Sequence, residues 1–369
     1  MNSLNKIKKF TFFFATAFLF ACNNEDSETE KLKELALQNN FNIEFLNQGQ
    51  VFFGDTLQIK IVSKNELNIQ EINIFSDNQL LKKSEKSELF FLDTKQLGGG
   101  EKQIVIFVKY KDGKEKSETK NIIVLRKNAP ELYTFEVIKT YPHDATSYTQ
   151  GLEFYKNSLI EGTGNYNQSK LRKEILINGK IEKEIKLDSQ FFGEGITVFD
   201  NKIYQLTYKE KKVFVYNVNT LEKLNEFDFT SETNEGWGLT HNDTSLIFSD
   251  GSAFIYFCNP ATFKITKKLK VFDQLKDVAM LNELEYHNGK LFANIYGQPF
   301  IAEINPSTGE VNAYINLTNI LKPEEIKSKI DVLNGIAINN ITGNLLVTGK
   351  WWPLIFEIKL KKIENTKPS

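Results

Sequence analysis

Histidine, cysteine and proline are scarce in this 369-residue chain, and neither sign of charge is in excess. Three His make a histidine-built metal centre hard to assemble, and no metal or other cofactor is expected. Two cysteines, Cys22 and Cys258, offer no internal disulfide once Cys22 takes the separate role argued below. Cys258, in the apolar stretch YFCN, reads as core packing. Forty-six basic against 47 acidic residues give a formal charge of -1, which supplies no basic face for nucleic acid. Eight Pro beside 30 Phe and 13 Tyr suit a strand-rich protein with large aromatic cores.

The chain starts MNSLNKIKKFTFFFATAFLFAC, with lysines first and then an apolar run over 10–20. A small residue, Ala21, precedes Cys22. The run is short for a membrane span, and the order of parts is that of an export signal. Leu19, Phe20, Ala21 and Cys22 resemble the lipobox of bacterial lipoproteins. That resemblance implies cleavage after residue 21, a lipid on Cys22 that holds the protein to the membrane, and a cell-envelope location. The site would be the periplasmic or the cell-surface side of the outer membrane; an uncleaved anchor is the alternative. Residues 22–40 are polar and acidic without an apolar period, and read as a flexible tether.

Strand alternation begins near Phe41. FNIEFLN, TLQIKIVSK, IQEINIFSD, SELFFLD, KQIVIFVKY and TKNIIVLR are divided by short polar turns, which over 41–127 suggests an immunoglobulin-like β-sandwich. Nothing in it gathers catalytic residue types.

From Thr149 onward one phrase occurs five times: QGLEFYKNSLIEGTG, EGITVFDNKIYQLTY, WGLTHNDTSLIFSDG, NELEYHNGKLFANIY and NGIAINNITGNLLVTGK. The copies start 44, 43, 45 and 52 residues apart. A period in the forties with several strands per unit predicts an all-β fold, a five-bladed β-propeller over 132–362. The first residues of the copies, Gln150, Glu194, Trp237, Asn282 and Asn334, would then converge on one funnel. The fifth copy is one strand short, and LYTFEVIKTYP at 132–142 is the surplus strand that would close the last blade. In the long last interval, LTNILKPEEIKSKIDV reads as a short helix in a loop beside one channel mouth.

Over roughly 132–360, YPHDATSYTQGL, FFGEGIT, QLTY, GWGLT, SDGS, LNELEY, AN, LNGIA and TGKWWP resemble, in order and spacing, the plant-type glutaminyl-peptide cyclotransferases. The resemblance implies a five-bladed propeller that turns the N-terminal Gln of a peptide or protein into pyroglutamate and releases ammonia. It also implies that Glu194 shuttles the proton, while Gln150, Asn282 and Lys350 line the pocket and contact the carboxamide or the substrate backbone. Tyr148, Phe192, Tyr208, Trp237 and Tyr296 would wall it. Tyr148 stands where the family has Phe, and Tyr208 and Tyr296 where it has Trp, so the pocket is expected to be slightly more polar. A monomer is expected.

The residues themselves support this chemistry. Glu194 is the lone carboxylate of the convergent ring and follows two Phe, a setting that raises a carboxyl pKa toward neutrality. Amide and ammonium donors suit a developing oxyanion. His143 reads as a structural hydrogen-bonding residue, and His241 and His287 as exposed turn residues. Glu283 and Glu285 flank Leu284, read as placing one toward the channel and one toward the blade. They are candidates for holding calcium or bracing the channel, without the loop spacing that calcium sites use. The alternative function is a non-catalytic surface propeller that binds protein or glycan; a metal-dependent propeller hydrolase would need more carboxylates in the ring.

Overall fold

The computed structural model describes residues 41–364, apart from 48–49, 64–67, 78 and 327. The leader, Cys22 and the tether lie outside these residues. Nearly all regular structure is strand. The helical pieces among the described residues are one turn at Thr94–Leu97 and a 3-10 turn at Pro323–Glu325.

The first part holds two sheets. Phe41–Phe45, Thr56–Ser63 and Leu89–Asp93 form one, and Gln50–Phe52, Glu115–Leu125, Gly100–Tyr110, Ile69–Ser76 and Gln79–Ser84 form the other. All six segments read from the sequence are strands. Alternation buries one face of each: Ile59, Phe90 and Leu92 of the smaller sheet share a core with Ile72, Ile74, Ile104 and Ile106 of the larger.

Five four-stranded antiparallel units follow. Unit I is Thr149–Tyr155, Ser158–Thr163, Lys170–Ile175 and Lys180–Lys186. Unit II is Gly193–Phe199, Lys202–Thr207, Lys212–Asn217 and Lys223–Asp228. Unit III is Leu239–His241, Leu246–Ser249, Phe254–Cys258 and Ile265–Lys270. Unit IV is Leu281–His287, Lys290–Ile295, Phe300–Ile304 and Val311–Asn316. Unit V takes Leu333–Ile338, Leu345–Gly349 and Leu354–Lys362 from the chain's end, and Glu131–Pro142 from before unit I. That strand pairs antiparallel from Leu354↔Pro142 to Lys362↔Tyr133. A short parallel contact, Ala313↔Glu131 to Ile315↔Tyr133, joins units IV and V.

The three inner strands of each unit are largely buried on both faces, because each unit is packed on two neighbours. Ile160 and Leu171 of unit I meet Ile196 and Phe214 of unit II. Leu206 and Val215 meet Phe248 and Tyr256 of unit III, and Ile247 and Ile255 meet Leu284 and Ala302 of unit IV. Ile301 and Ile315 meet Val347 and Phe356 of unit V, while Leu346 and Ile355 meet Leu152 and Phe154 of unit I. The cores therefore form a closed cycle. Outer strands such as KIEKEIK in unit I are mostly exposed, and their Lys and Glu discourage edge pairing with other chains.

The second residue of four of the five phrases is Gly, where first strands nearly touch. A Cβ on Gly238 would lie 2.0 Å from the Asn282 carbonyl oxygen, and one on Gly195 2.4 Å from the Leu239 nitrogen. Only the fourth copy has a side chain there, Glu283, discussed below.

The two parts meet at Gly98–Gly100. A Cβ on Gly99 would sit 1.8 Å from the ring of Phe272, which is fully buried. Glu101 N–H donates to Asp277 Oδ1 (3.2 Å), Lys270 Nζ to the Glu101 carbonyl (3.0 Å), and Arg126 N–H to the Asp273 carbonyl (3.0 Å). Gly99→Val is expected to open this junction while both parts stay folded. The check is faster tryptic cleavage at Arg126 and Lys127, with the circular dichroism of both parts unchanged.

The loop before unit V holds the short helix read from the sequence as a single 3-10 turn, Pro323–Glu325, after which the backbone of Ile326 is extended (φ -84°, ψ 104°). The Glu325 carboxylate caps the turn at Lys322 N–H (2.7 Å).

Candidate active site

The first strands carry the site, and irregular pairing aims it. In units I, II, IV and V the register shifts at the start of the first strand: between Thr149 and Gly151, Gly193 and Ile196, Leu281 and Leu284, and Leu333 and Ile336. Each bulge contains the first residue of a phrase: Gln150, Glu194, Asn282 or Asn334. A bulge turns a side chain out of the flat alternation, a device common beside active sites. All four are at most 4% exposed.

Glu194 is sealed from bulk water. Burial pushes its carboxyl well above the ordinary carboxylate range; Lys350 opposes this, and Glu235 and Glu210 add to it. Lys350 is 3% exposed, and burial lowers its ammonium to about 8 against the pull of Glu194 and Asp331. Its Nζ lies 4.5 Å from the centre of the Tyr148 ring and 5.3 Å from that of Tyr296. Among the described residues the Glu194 carboxyl has no hydrogen-bond partner, so its protons are free for an incoming group.

The aromatic residues form a connected wall. Tyr208 meets Phe192 (ring centroids 5.7 Å apart), Phe192 meets Tyr148 (6.2 Å), and Trp237 meets Tyr296 (5.6 Å). All five are half-buried, as residues facing a cleft are. The Trp237 indole donates to Glu235 Oε2 (3.1 Å) and lies over Gly251, whose φ of 78° and missing side chain leave the ring its space.

The amides divide. Asn334 Nδ2 donates to the Thr149 carbonyl (2.9 Å) and to Gln150 Oε1 (3.2 Å), which fixes the Gln150 side chain. Asn282 Oδ1 is buried with no partner among the described residues, an unused polar atom at the strand end.

Residues that the sequence did not single out complete the rim. Asp331 comes from the loop before unit V. Trp351, in the left-handed region at φ 62°, packs its ring against Tyr148, tilted by 59° with centroids 4.7 Å apart, and donates its N–H to the Ser147 carbonyl (2.7 Å). A bulky residue held there signals a locally over-determined turn. Its signal in the sequence was TGKWWP; Asp331 had none beyond the long last interval.

Three sequence readings need correction. His241 and His287 are half-buried, not exposed; His241 Nδ1 is 2.8 Å from Thr197 Oγ1 in the packed interior between first strands. Glu283 and Glu285 both point toward the neighbouring first strands. Residues two apart share a face of a strand. Glu283 accepts from Leu152 N–H (3.1 Å) and Ile336 N–H (2.7 Å), and Glu285 from Ile338 N–H (3.1 Å). They brace the axis, and no group of three or more His, Cys, Asp or Glu among the described residues is placed to hold a metal ion.

His143 is structural in the detail now visible. Its Nδ1 meets the Trp352 carbonyl at 2.7 Å and its Nε2 Glu161 Oε1 at 3.0 Å. Burial would lower its pKa, but the Glu161 carboxylate more than reverses this, to about 9. The resulting imidazolium ties unit I to the turn that carries Lys350.

A family model described as glutamine cyclotransferase matches residues 105–360. The chain belongs to the glutamine cyclotransferase family. Over 231 residues this cyclotransferase is 38% identical to the glutaminyl-peptide cyclotransferase of Arabidopsis thaliana, covering 62% of this chain and 71% of that one. Among solved structures it is similar to the glutaminyl cyclase of Myxococcus xanthus, with 30% identity and a TM-score of 0.59. That likeness covers 64% of this cyclotransferase-family chain and 100% of the Myxococcus chain.

Proposed function

We propose that this chain is a glutaminyl-peptide cyclotransferase, converting the N-terminal Gln of peptides or proteins to pyroglutamate with release of ammonia. The family and the named relatives support the activity. The observation that carries the mechanism is Glu194, a buried carboxyl with raised proton affinity, facing the Lys350 ammonium across an aromatic-walled cleft.

In the reaction the substrate's α-nitrogen bonds to its own side-chain carboxamide carbon, and the bond from that carbon to the amide nitrogen breaks. Both reacting groups belong to one residue, so proximity needs little help. Glu194 takes the proton from the attacking amine and returns it to the departing nitrogen, which leaves as ammonia. Lys350 and the amides of Asn282 and Gln150 hold the carboxamide oxygen as it gains charge, an effect that for one such donor reaches about 3 kcal/mol. The aromatic wall excludes water and favours the neutral amine. No step uses a metal or other cofactor.

The five units are read as the blades of a five-bladed propeller over 132–362, with the strand at 132–142 closing the last blade; the closed cycle of cores supports this. The two sheets of 41–127 are read as an immunoglobulin-like sandwich. The protein is read as a monomeric envelope lipoprotein, cleaved after residue 21, anchored through Cys22 and held off the membrane by a tether at 22–40.

Incubating the purified protein with a Gln-initiated peptide is expected to give a product lighter by one ammonia. The same peptide starting with Asn is expected to stay intact. Binding of the Gln peptide without any turnover would instead favour a non-catalytic surface module.

A further inference from the structure

We propose that Asp331 is a positioning residue for this reaction: it holds Lys350 in place and keeps it protonated, with Tyr148 clamped between them. The proposal rests on the cyclotransferase reading above. Its basis is the loop before unit V, which reaches back to the turn bearing Lys350.

Two backbone hydrogen bonds join the segments, Asp331 N–H to the Lys350 carbonyl (2.9 Å) and Lys350 N–H to the Val332 carbonyl (3.0 Å). The Trp352 indole donates to the Asp331 carbonyl (2.8 Å), pinning the turn from its far side. The Asp331 carboxylate is then held by its own neighbour, with Val332 N–H on Oδ1 at 2.8 Å. Its other oxygen, Oδ2, faces the Tyr148 hydroxyl at 3.5 Å. Tyr148 in turn presents its ring face to Lys350 Nζ. The lysine is thus set by an aromatic face whose hydroxyl end the aspartate holds.

Charge completes the argument. An ammonium in this cleft is starved of water, and its proton is retained only by nearby anions. The groups facing it are Glu194 on unit II, Asp331 on the inserted loop, Tyr148 ahead of unit I and Tyr296 between the second and third strands of unit IV. Glu210 and Glu235 on the rim of unit II face Glu194, and Lys329 lies over Trp351. Glu194 gives up its negative charge whenever it holds the transferred proton. Asp331 has no part in the proton transfer. It is the partner that keeps Lys350 a donor while Glu194 changes state.

Asp331→Asn keeps the side chain's size and its acceptor for Val332 N–H while removing the charge. The alkaline limb of kcat/KM is expected to move about one pH unit toward acid, since a single nearby charge shifts a buried group by that order. The acid limb, set by the substrate amine, is expected to stay in place. Asp331→Glu is expected to restore the alkaline limb. The independent readout is the pH titration of Lys350 in reductively 13C-methylated protein, its signal assigned by its absence in Lys350→Arg. Asp331→Asn should move that titration toward acid by the same amount.

An unchanged titration of Lys350, or a loss of activity equal at every pH, overturns the role of Asp331. A wild-type protein that turns over no Gln peptide overturns the cyclotransferase reading instead, whatever the lysine signal does.

Discussion

Glu194→Gln is expected to lower kcat about a hundred- to ten-thousandfold, with KM changed little and the circular dichroism spectrum unchanged. The amide matches the carboxyl in shape and fills the same cleft, but it cannot accept the amine's proton and return it to the leaving nitrogen. In the wild type burial holds the carboxyl's pKa well above the ordinary carboxylate range, so the group can carry out both transfers near neutrality. Steady-state assays with a Gln-initiated peptide measure the effect. A loss smaller than tenfold would remove Glu194 from the proton path and leave only the donors and the cleft's geometry to account for turnover.

The second large effect concerns the axis. Glu283→Ala is expected to destabilise the protein by about 2–6 kcal/mol, measured by urea denaturation. It strands the N–H groups of Leu152 and Ile336, which belong to two different units, and each buried unpaired donor costs about 1–3 kcal/mol. The same axis gives stability an unusual pH dependence. Burial raises the carboxyl of Glu153 to about 7, and Glu283 and Glu285 are also raised well above the ordinary range, burial being the main cause in each. The folded protein therefore holds protons here that the unfolded chain has already released. Stability falls as pH rises from about 4.5, the unfolded value, through about 7 for Glu153, and flattens only above the folded values. The melting temperature is expected to be higher at pH 5.5 than at pH 8. Glu153→Gln should reduce the difference.

Much of this site was legible because the repeat is written in the innermost strands. The five phrases are the first hairpins of the five units, and the first letters of four copies are the bulged residues that line the cleft. The second letter was harder to interpret. Gly in four copies reads as mere looseness, whereas in the fold it records how closely the first strands approach, and Glu283 fills with a carboxylate the place where that approach is relaxed. Alternation along an ideal strand could not assign Glu283 and Glu285 their partners, because the bulge at Leu281–Leu284 shifts the register just before them. The two half-buried histidines were misjudged for a different reason. They are the last residues of the first strands of units III and IV, and a strand end packed between neighbouring units is covered where a turn is not. The place of Asp331 was not legible, since no periodicity says where a loop folds back, and TGKWWP marked Trp351 only as part of a motif. The loop's helical pattern is realised as one 3-10 turn at Pro323–Glu325.

The strand Glu131–Pro142 is made before any of the five units and finds its main partner, Leu354–Lys362, last of all. During synthesis it must wait, with Phe135 and Tyr141 uncovered, while more than two hundred residues are added behind it. The final sheet cannot be zipped until Leu354–Lys362 has been made, which makes completion of the ring slow compared with formation of its local hairpins. A chain ending before Leu354 would carry this strand as an open edge and be prone to pair with its own copies. The pairing that closes the fold thus also serves as a proof of length: only a chain extended through Leu354–Lys362 can pair the strand made ahead of its five units.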